Sequence, residues 1–239
     1  MFNEAIDFDN YEVEYKFDLP KEDDLSEILF TTGTTGKSKG IKIVYRNNVA
    51  IAQNVSEAIG ITNDDVEMVT APMNHSMALR RTYTVFYKGG TVVLTDGVKF
   101  IEDFFKLLDM YNVTGLTFAP AILEQLLKFA KDRFGTYSDR LRYIQLGSAP
   151  LSEKAKETLK EMFPNTKLFN IYGATESGCT VSLEFSKYGD KKGSIGKPNV
   201  NAEIIFVDDN RNIVKASAQN PGNLAFKGAM NMRGFLKVP

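Results

Sequence analysis

Short apolar runs of strand character alternate with helical stretches along most of the chain. Ser26–Thr32 (SEILFTT) predicts a strand entering a glycine-rich loop, and Ile41–Tyr45, apolar at Ile41, Ile43 and Tyr45, predicts a strand leaving it. Val49, Ala52, Val55 and Ile59 recur at helical spacing, so a helix is expected from Asn47 or Asn48 to Ile59. The alternation then repeats. Strands are expected at Val66–Ala71, Thr91–Leu94, Val113–Phe118, Leu141–Leu146 and Lys167–Ile171. Helices are expected at Ser76–Tyr87 before Gly89-Gly90, at Ile101–Met110, at Ala121–Ala130 behind Pro120, and from the N-cap residue Ser152 to about Phe163.

Such alternation predicts an α/β fold, a largely parallel sheet with helices on both faces. Ligands of such sheets bind at loops beyond the carboxyl ends of strands. After about Gly189 the pattern changes: Ile204–Val207 and Asn223–Phe226 predict strands joined by polar turns with no helix between them. Two parts follow, an α/β part over residues 1–189 and an incomplete β-rich subdomain over 190–239.

Composition narrows the function classes. A chain of 239 residues, 43% of them hydrophobic, is long enough to bury a core without disulfides or metals. With 29 basic and 30 acidic residues the net charge is -1, which gives no footprint for nucleic acid. The single cysteine, Cys179, rules out a disulfide framework. No leader-like segment opens the chain and no apolar run is long enough to span a bilayer, so a cytoplasmic protein is expected.

The chemistry concentrates first in Thr31–Gly40, TTGTTGKSKG, where three glycines, four threonines and two lysines fall together. Glycine lets backbone N–H groups turn toward an anion, threonine hydroxyls add donors, and lysines add charge. A phosphate cradle, most simply for ATP, fits that combination better than an ordinary turn. A Walker-type NTPase is one reading, since Gly36-Lys37-Ser38 supplies the end of that motif. Its first glycine, however, would fall at Thr31, and a Walker loop runs into a helix whereas this one runs into a β-alternating stretch.

Ile28–Gly40, ILFTTGTTGKSKG, resembles instead the signature loop of the adenylate-forming superfamily, usually TSGTTGxPKG, with Thr32 and Ser38 standing where serine and proline are common. Four further segments resemble that family's motifs in its order: PMNH at Pro72–His75, GSAPL at Gly147–Leu151, NIYGATE at Asn170–Glu176, and SIGKP at Ser194–Pro198. The resemblance is to the acyl-CoA synthetase, or acid-CoA ligase, branch. It implies that a carboxylic acid joins ATP to give an acyl-adenylate and pyrophosphate, and that the acyl group then passes to a thiol, commonly that of CoA.

The resemblance also implies residue roles. Thr31, Thr32, Gly33, Thr34, Thr35, Gly36, Lys37 and Lys39 would hold the β- and γ-phosphates. Gly147, Ser148, Ala149 and Pro150 would leave room for adenine, with Asn170, Tyr172 and Gly173 beside it. Thr175 would bond the α-phosphate and Glu176 would help hold Mg²⁺, a hard ion that takes one or two carboxylates. His75, the only histidine, would lie by the substrate carboxylate. PMNH favours a plain acid over an amino acid, since amino-acid-activating relatives carry an acidic residue there. Arg80 and Arg81 are expected on a solvated helix face or against an anion.

Two departures shape the expectation. Only about thirty residues precede the loop, and neither the TGD motif nor the mobile C-terminal domain with its catalytic lysine follows. A central fragment that binds nucleotide without completing catalysis is expected, with an apolar face open to self-association or a partner chain. A non-catalytic nucleotide-binding or interaction module is the alternative.

Overall fold

The computed structural model describes residues 18–32, 38–95, 97–98 and 100–236. Two strands, β1 (Leu25–Thr32) and β2 (Ser38–Val44), form an antiparallel hairpin with Thr31 opposite Lys39 and Thr32 opposite Ser38. Residues 33–37 of the glycine-rich loop lie outside the described residues, but the strands that flank them run antiparallel, not strand into helix. Helix α1 (Tyr45–Ile59) follows, starting where the last strand residue was expected, and ends on Gly60 in the left-handed conformation. Of its expected apolar stripe, Ala52, Val55 and Ile59 are buried, whereas Val49 faces solvent and Ile51 takes its place.

The strands β3 (Val66–Val69), β4 (Thr91–Leu94), β5 (Gly115–Phe118), β6 (Tyr143–Leu146), β7 (Lys167–Ala174), β8 (Gly178–Glu184) and β9 (Lys197–Pro198) build one seven-stranded sheet in the order β4-β3-β5-β6-β7-β8-β9. The first five are parallel, and β8 and β9 add antiparallel at one edge. Strand β7 runs three residues past the expected Ile171 and carries Tyr172 and Gly173. Strand β8, though its Cys179, Val181 and Leu183 alternate with polar residues, was not among the expected strands.

Helices lie on both faces, as the alternation predicts. Helices α3 (Ile101–Met110), α4 (Pro120–Phe129), α5 (Lys131–Gly135) and α6 (Glu153–Met162) cover one face around Met68, Leu116, Phe118, Ile144, Leu146 and Leu168. Ser152 caps α6 by accepting a hydrogen bond from Ala155 N at 3.2 Å. The other face receives α1, through Val55 and Ile59 on Tyr143, Phe169 and Ile171, and α2 (Ser76–Tyr87).

Beyond residue 199, β10 (Ala202–Val207) and β11 (Asn223–Gly228) pair antiparallel, and β12 (Gly234–Leu236) joins the hairpin beside β2. Asparagines of α1 tie this region down: Asn47 donates to Ala229 O and Asn231 O, both at 2.7 Å, and Asn54 accepts from Asn201 N at 2.8 Å. No helix among the described residues is long and apolar enough to cross a membrane.

Candidate active site

Two recesses open at the carboxyl ends of β6 and β7, where a sheet of this kind is expected to bind ligands. They share Ser148, Ile171 and Gly173 as a common wall. Backbone geometry constrains this wall. Ser148 sits at φ 68°, a conformation a non-glycine residue adopts only at a cost. A Cβ on Gly173 would run into the Gly178 carbonyl, so the turn closing β7 onto β8 requires glycine there.

The first recess, about 210 Å³, is bounded by the N-terminus of α2 and the β7–β8 turn. His75 is the N-cap of α2, and its Nδ1 accepts from Met77 N at 3.1 Å. In the neutral ring that bond leaves the proton on Nε2. Ser76 and Thr175 join the two walls by a hydroxyl–hydroxyl hydrogen bond of 3.1 Å, bridging 99 positions of sequence. Glu176 lies in the same turn, its carbonyl accepting from Met232 N at 2.8 Å.

Beneath this turn lies a residue whose place the sequence did not settle. Arg80 is 4% exposed and reaches across from α2, donating from Nη1 to Ala174 O at 3.0 Å and from Nη2 to Thr175 O at 2.6 Å. Burial pulls its pKa down, with Cys179, Glu27 and Glu176 opposing that only through space. Arg81 is 2% exposed and forms a fork onto the buried Glu67, with Nε to Oε1 at 2.8 Å and Nη2 to Oε2. Tyr143 completes the group, donating to Glu67 Oε2 at 2.6 Å. The solvated-face reading of both arginines is therefore overturned. A clue was present: Arg81 stands three residues after Ala78 and four before Val85, both wholly buried, hence on the inward stripe.

The second recess, about 360 Å³, is lined by Ser148, Ala149 and Pro150 on one side and by Asn170, Tyr172 and Gly173 on the other. Gly193, Ser194 and Ile195, part of the SIGKP region, close it. Tyr172 is 44% exposed and presents its ring beside that of Phe226, with centroids 5.9 Å apart. The recess thus offers a flat aromatic face opposite small residues.

The expected site residues do not all meet. Those from GSAPL, and Asn170 to Thr175 of NIYGATE, converge with His75 on the two recesses, whereas Glu176 lines neither. In the glycine-rich loop, Gly33, Thr34, Thr35, Gly36 and Lys37 lie outside the described residues, as does the side chain of Thr32. Lys39 places its Nζ 5.5 Å from the centroid of the Phe235 ring. Cys179 lines the first recess, but burial raises its thiol pKa, which disfavours the nucleophilic thiolate. Among the described residues no three His, Cys, Asp or Glu side chains gather where they could hold a metal ion.

Comparison with known proteins bears on the family and the fold. The chain is 30% identical over 226 residues to 4-coumarate-CoA ligase 1 of Narcissus pseudonarcissus, covering 91% of this chain and 41% of that protein. The o-succinylbenzoate CoA synthetase (MenE) of Bacillus subtilis, solved with the acyl-adenylate intermediate OSB-AMP, superposes with a TM-score of 0.78 at 26% identity, over 90% of this chain and 54% of that one. The same synthetase in complex with ATP and magnesium ion superposes at 0.78 and 24% identity, over 92% and 45%. The chain thus spans less than half the length of the curated relatives it matches. The profile of the family described as AMP-binding enzyme matches residues 3–236, and the chain belongs to that family.

Proposed function

We propose that this chain is the ATP-binding portion of an AMP-forming carboxylic acid-CoA ligase, which makes an acyl-adenylate and then a thioester. The observation that carries the reading is the pair of recesses sharing one wall. The larger one suits a planar base, with Tyr172 as stacking face and Ser148, Ala149 and Pro150 leaving space, Gly147 standing at the edge toward the smaller one. Asn170 and Gly173 border the larger one. The smaller one suits the acid, with His75 and Thr175 in its lining, the latter to meet an α-phosphate.

The donors fit the nucleotide. Thr175 and Ser76 bring hydroxyls, and Glu176 brings one hard oxygen ligand for Mg²⁺. A magnesium ion held there supplies charge neutralisation at the phosphates. Thr31 to Lys37, with Lys39, would hold the β- and γ-phosphates, and the fixed donors offset repulsion between two anions as the acid approaches. CoA is the proposed acceptor.

Taken alone, the chain is proposed to bind nucleotide and to turn over poorly. In support, no described lysine lines the smaller recess and both Nη atoms of Arg80 are already engaged on backbone carbonyls. We divide it at 189/190 into an α/β part and a β-rich part. A cytoplasmic setting suits its lone cysteine, and its balanced charge gives nucleic acid nothing to bind.

A non-catalytic interaction module is favoured by one specific observation: Phe30, Phe86, Phe100 and Phe129 are each more than half exposed, which suits self-association. A Walker-type NTPase is disfavoured by the antiparallel hairpin around the glycine-rich loop.

Calorimetric titration with ATP and Mg²⁺ tests the nucleotide half. Saturable binding is expected, and a folded sample with neither heat nor thermal shift at millimolar nucleotide rejects it. Carboxylate-dependent pyrophosphate exchange at ordinary enzymatic rates would reject the claim of poor turnover.

A further inference from the structure

Two adjacent arginines on α2 are buried almost equally and matched very differently. Arg81 has the Glu67 carboxylate against its guanidinium. Arg80 has two neutral carbonyls and, among the described residues, no carboxylate within ion-pair distance, while its Nε is buried without an acceptor. The acidic groups that act on it do so only through space, and Glu27 is already engaged by Asn48 at 3.3 Å and Tyr83 at 3.1 Å. A buried guanidinium without a counter-charge is unfavourable unless something supplies one.

Arg80 also lines the smaller recess, together with polar Gln145 and Ser76 and apolar Met77, Ile171 and Ala174. At about 210 Å³ the recess is smaller than the ~300–1,000 Å³ usual for drug-sized ligands. It is small, and its lining mixes polar and apolar groups, with Arg80 the one permanently charged side chain among them.

We infer that the acid accepted here is compact and carries a second acceptor group, a carboxylate or oxo oxygen distant from the reacting carboxylate, that pairs with Arg80. This rests on the ligase reading above and deepens it. Long aliphatic acids exceed a recess of this volume, and they leave Arg80 unmatched. A short diacid or oxo acid meets both conditions.

The test is calorimetric titration of the 239-residue chain, saturated with AMP, using succinate and the length-matched butyrate, then hexanoate. Succinate is expected to bind at least tenfold more tightly than butyrate, with hexanoate weaker still. Arg80→Met is expected to bring the succinate-to-butyrate ratio near one, and Arg80→Lys to keep part of it. The ratio is the decisive readout, because a residue that only braced the Ala174–Thr175 turn would weaken all ligands together. Hexanoate binding as well as succinate overturns the inference while leaving the ligase reading intact. So does an Arg80→Met or Arg80→Lys chain, whichever folds, with its ratio unchanged and its AMP affinity lost, since Arg80 would then serve the phosphate. Failure of the folded wild-type chain to bind AMP at all overturns the underlying reading and the inference with it.

Discussion

The two faces of the parallel sheet are built on opposite terms. Successive residues of each strand alternate between them. Met68, Leu116, Ile144 and Leu168 stand in register as one row and enter a dry core of phenylalanines, with the rings of Phe134 and Phe163 4.7 Å apart. One residue earlier on each strand, Glu67, Gly115, Tyr143 and Lys167 form the neighbouring row on the other face. Here the middle position is empty of side chain, and the Tyr143 ring leans across Gly115 to reach Glu67. The aromatic face gains its stability from burial alone. The polar face spends some of that on a network under α2, and it is this face whose strand ends lead into the smaller recess.

The largest expected effects separate the two faces by whether a partner change can rescue them. Phe134→Ala should cost about 3–5 kcal/mol by loss of burial and a residual cavity. Glu67→Ala should cost a similar ~3–5 kcal/mol, because it strands the buried Arg81 charge. Denaturant titration should then show Glu67→Leu/Arg81→Met recovering most of that loss, since a buried pair replaced by apolar residues is often neutral. No second substitution on the aromatic face should rescue Phe134→Ala comparably. If the double variant is no better than Glu67→Ala, the network contributes more than charge matching.

Gly115→Ala is expected to come next, at about 1–3 kcal/mol, because its new methyl must displace the Tyr143 ring. Pairing it with Tyr143→Phe does not relieve the clash, since the collision is with the ring as well as the hydroxyl. A Gly115→Ala cost that vanished in the Tyr143→Phe background would mean instead that only the hydroxyl collides.

How much of this was legible beforehand differs between the faces. Helix α2, β4 and α3 begin and end where the pattern places them, because their apolar residues recur with one clear period. The aromatic face was readable for the same reason. Strand β8 was missed because GCTVSLE begins on a glycine and its small alternating residues sit beside a motif that drew the chemical reading. The recess residues from GSAPL and NIYGATE were found through their motifs. Arg80 was not, since its role depends on a carbonyl turn some 95 positions away, a pairing that only the folded sheet creates.

A smaller effect is expected at Asp65, at the amino end of β3. Burial tends to raise its pKa, but hydrogen bonds from Arg142, Thr62 and Thr114 win and hold it below the usual carboxylate value. A carboxylate with a lowered folded pKa stabilises fully above its unfolded pKa, about 3.9, and loses that contribution as pH falls through the folded value. Asp65→Asn should therefore lower stability at neutral pH by on the order of 1 kcal/mol, the Arg142 partner being partly exposed. Below about pH 4 the gap to wild type should narrow. A gap independent of pH in thermal melts would assign the loss to hydrogen bonding alone.

The smallest expected change in stability falls on the wall between the recesses. Ser148 holds a left-handed backbone at φ 68°. Such a conformation costs a non-glycine residue about 1–2 kcal/mol, and Ser148→Gly would relieve it. Glycine in turn gives up ~0.5–1 kcal/mol through the greater freedom of the unfolded chain. The two nearly cancel, so thermal unfolding should move little. Nucleotide titration should move more, because the substitution removes a hydroxyl from both recesses and frees the backbone that divides them. Strain retained at a position where glycine would be nearly neutral is then accounted for by binding. A large loss of stability with unaltered nucleotide affinity would sink that account. It would assign Ser148 to packing against Met77, whose sulfur lies 3.1 Å from its Oγ.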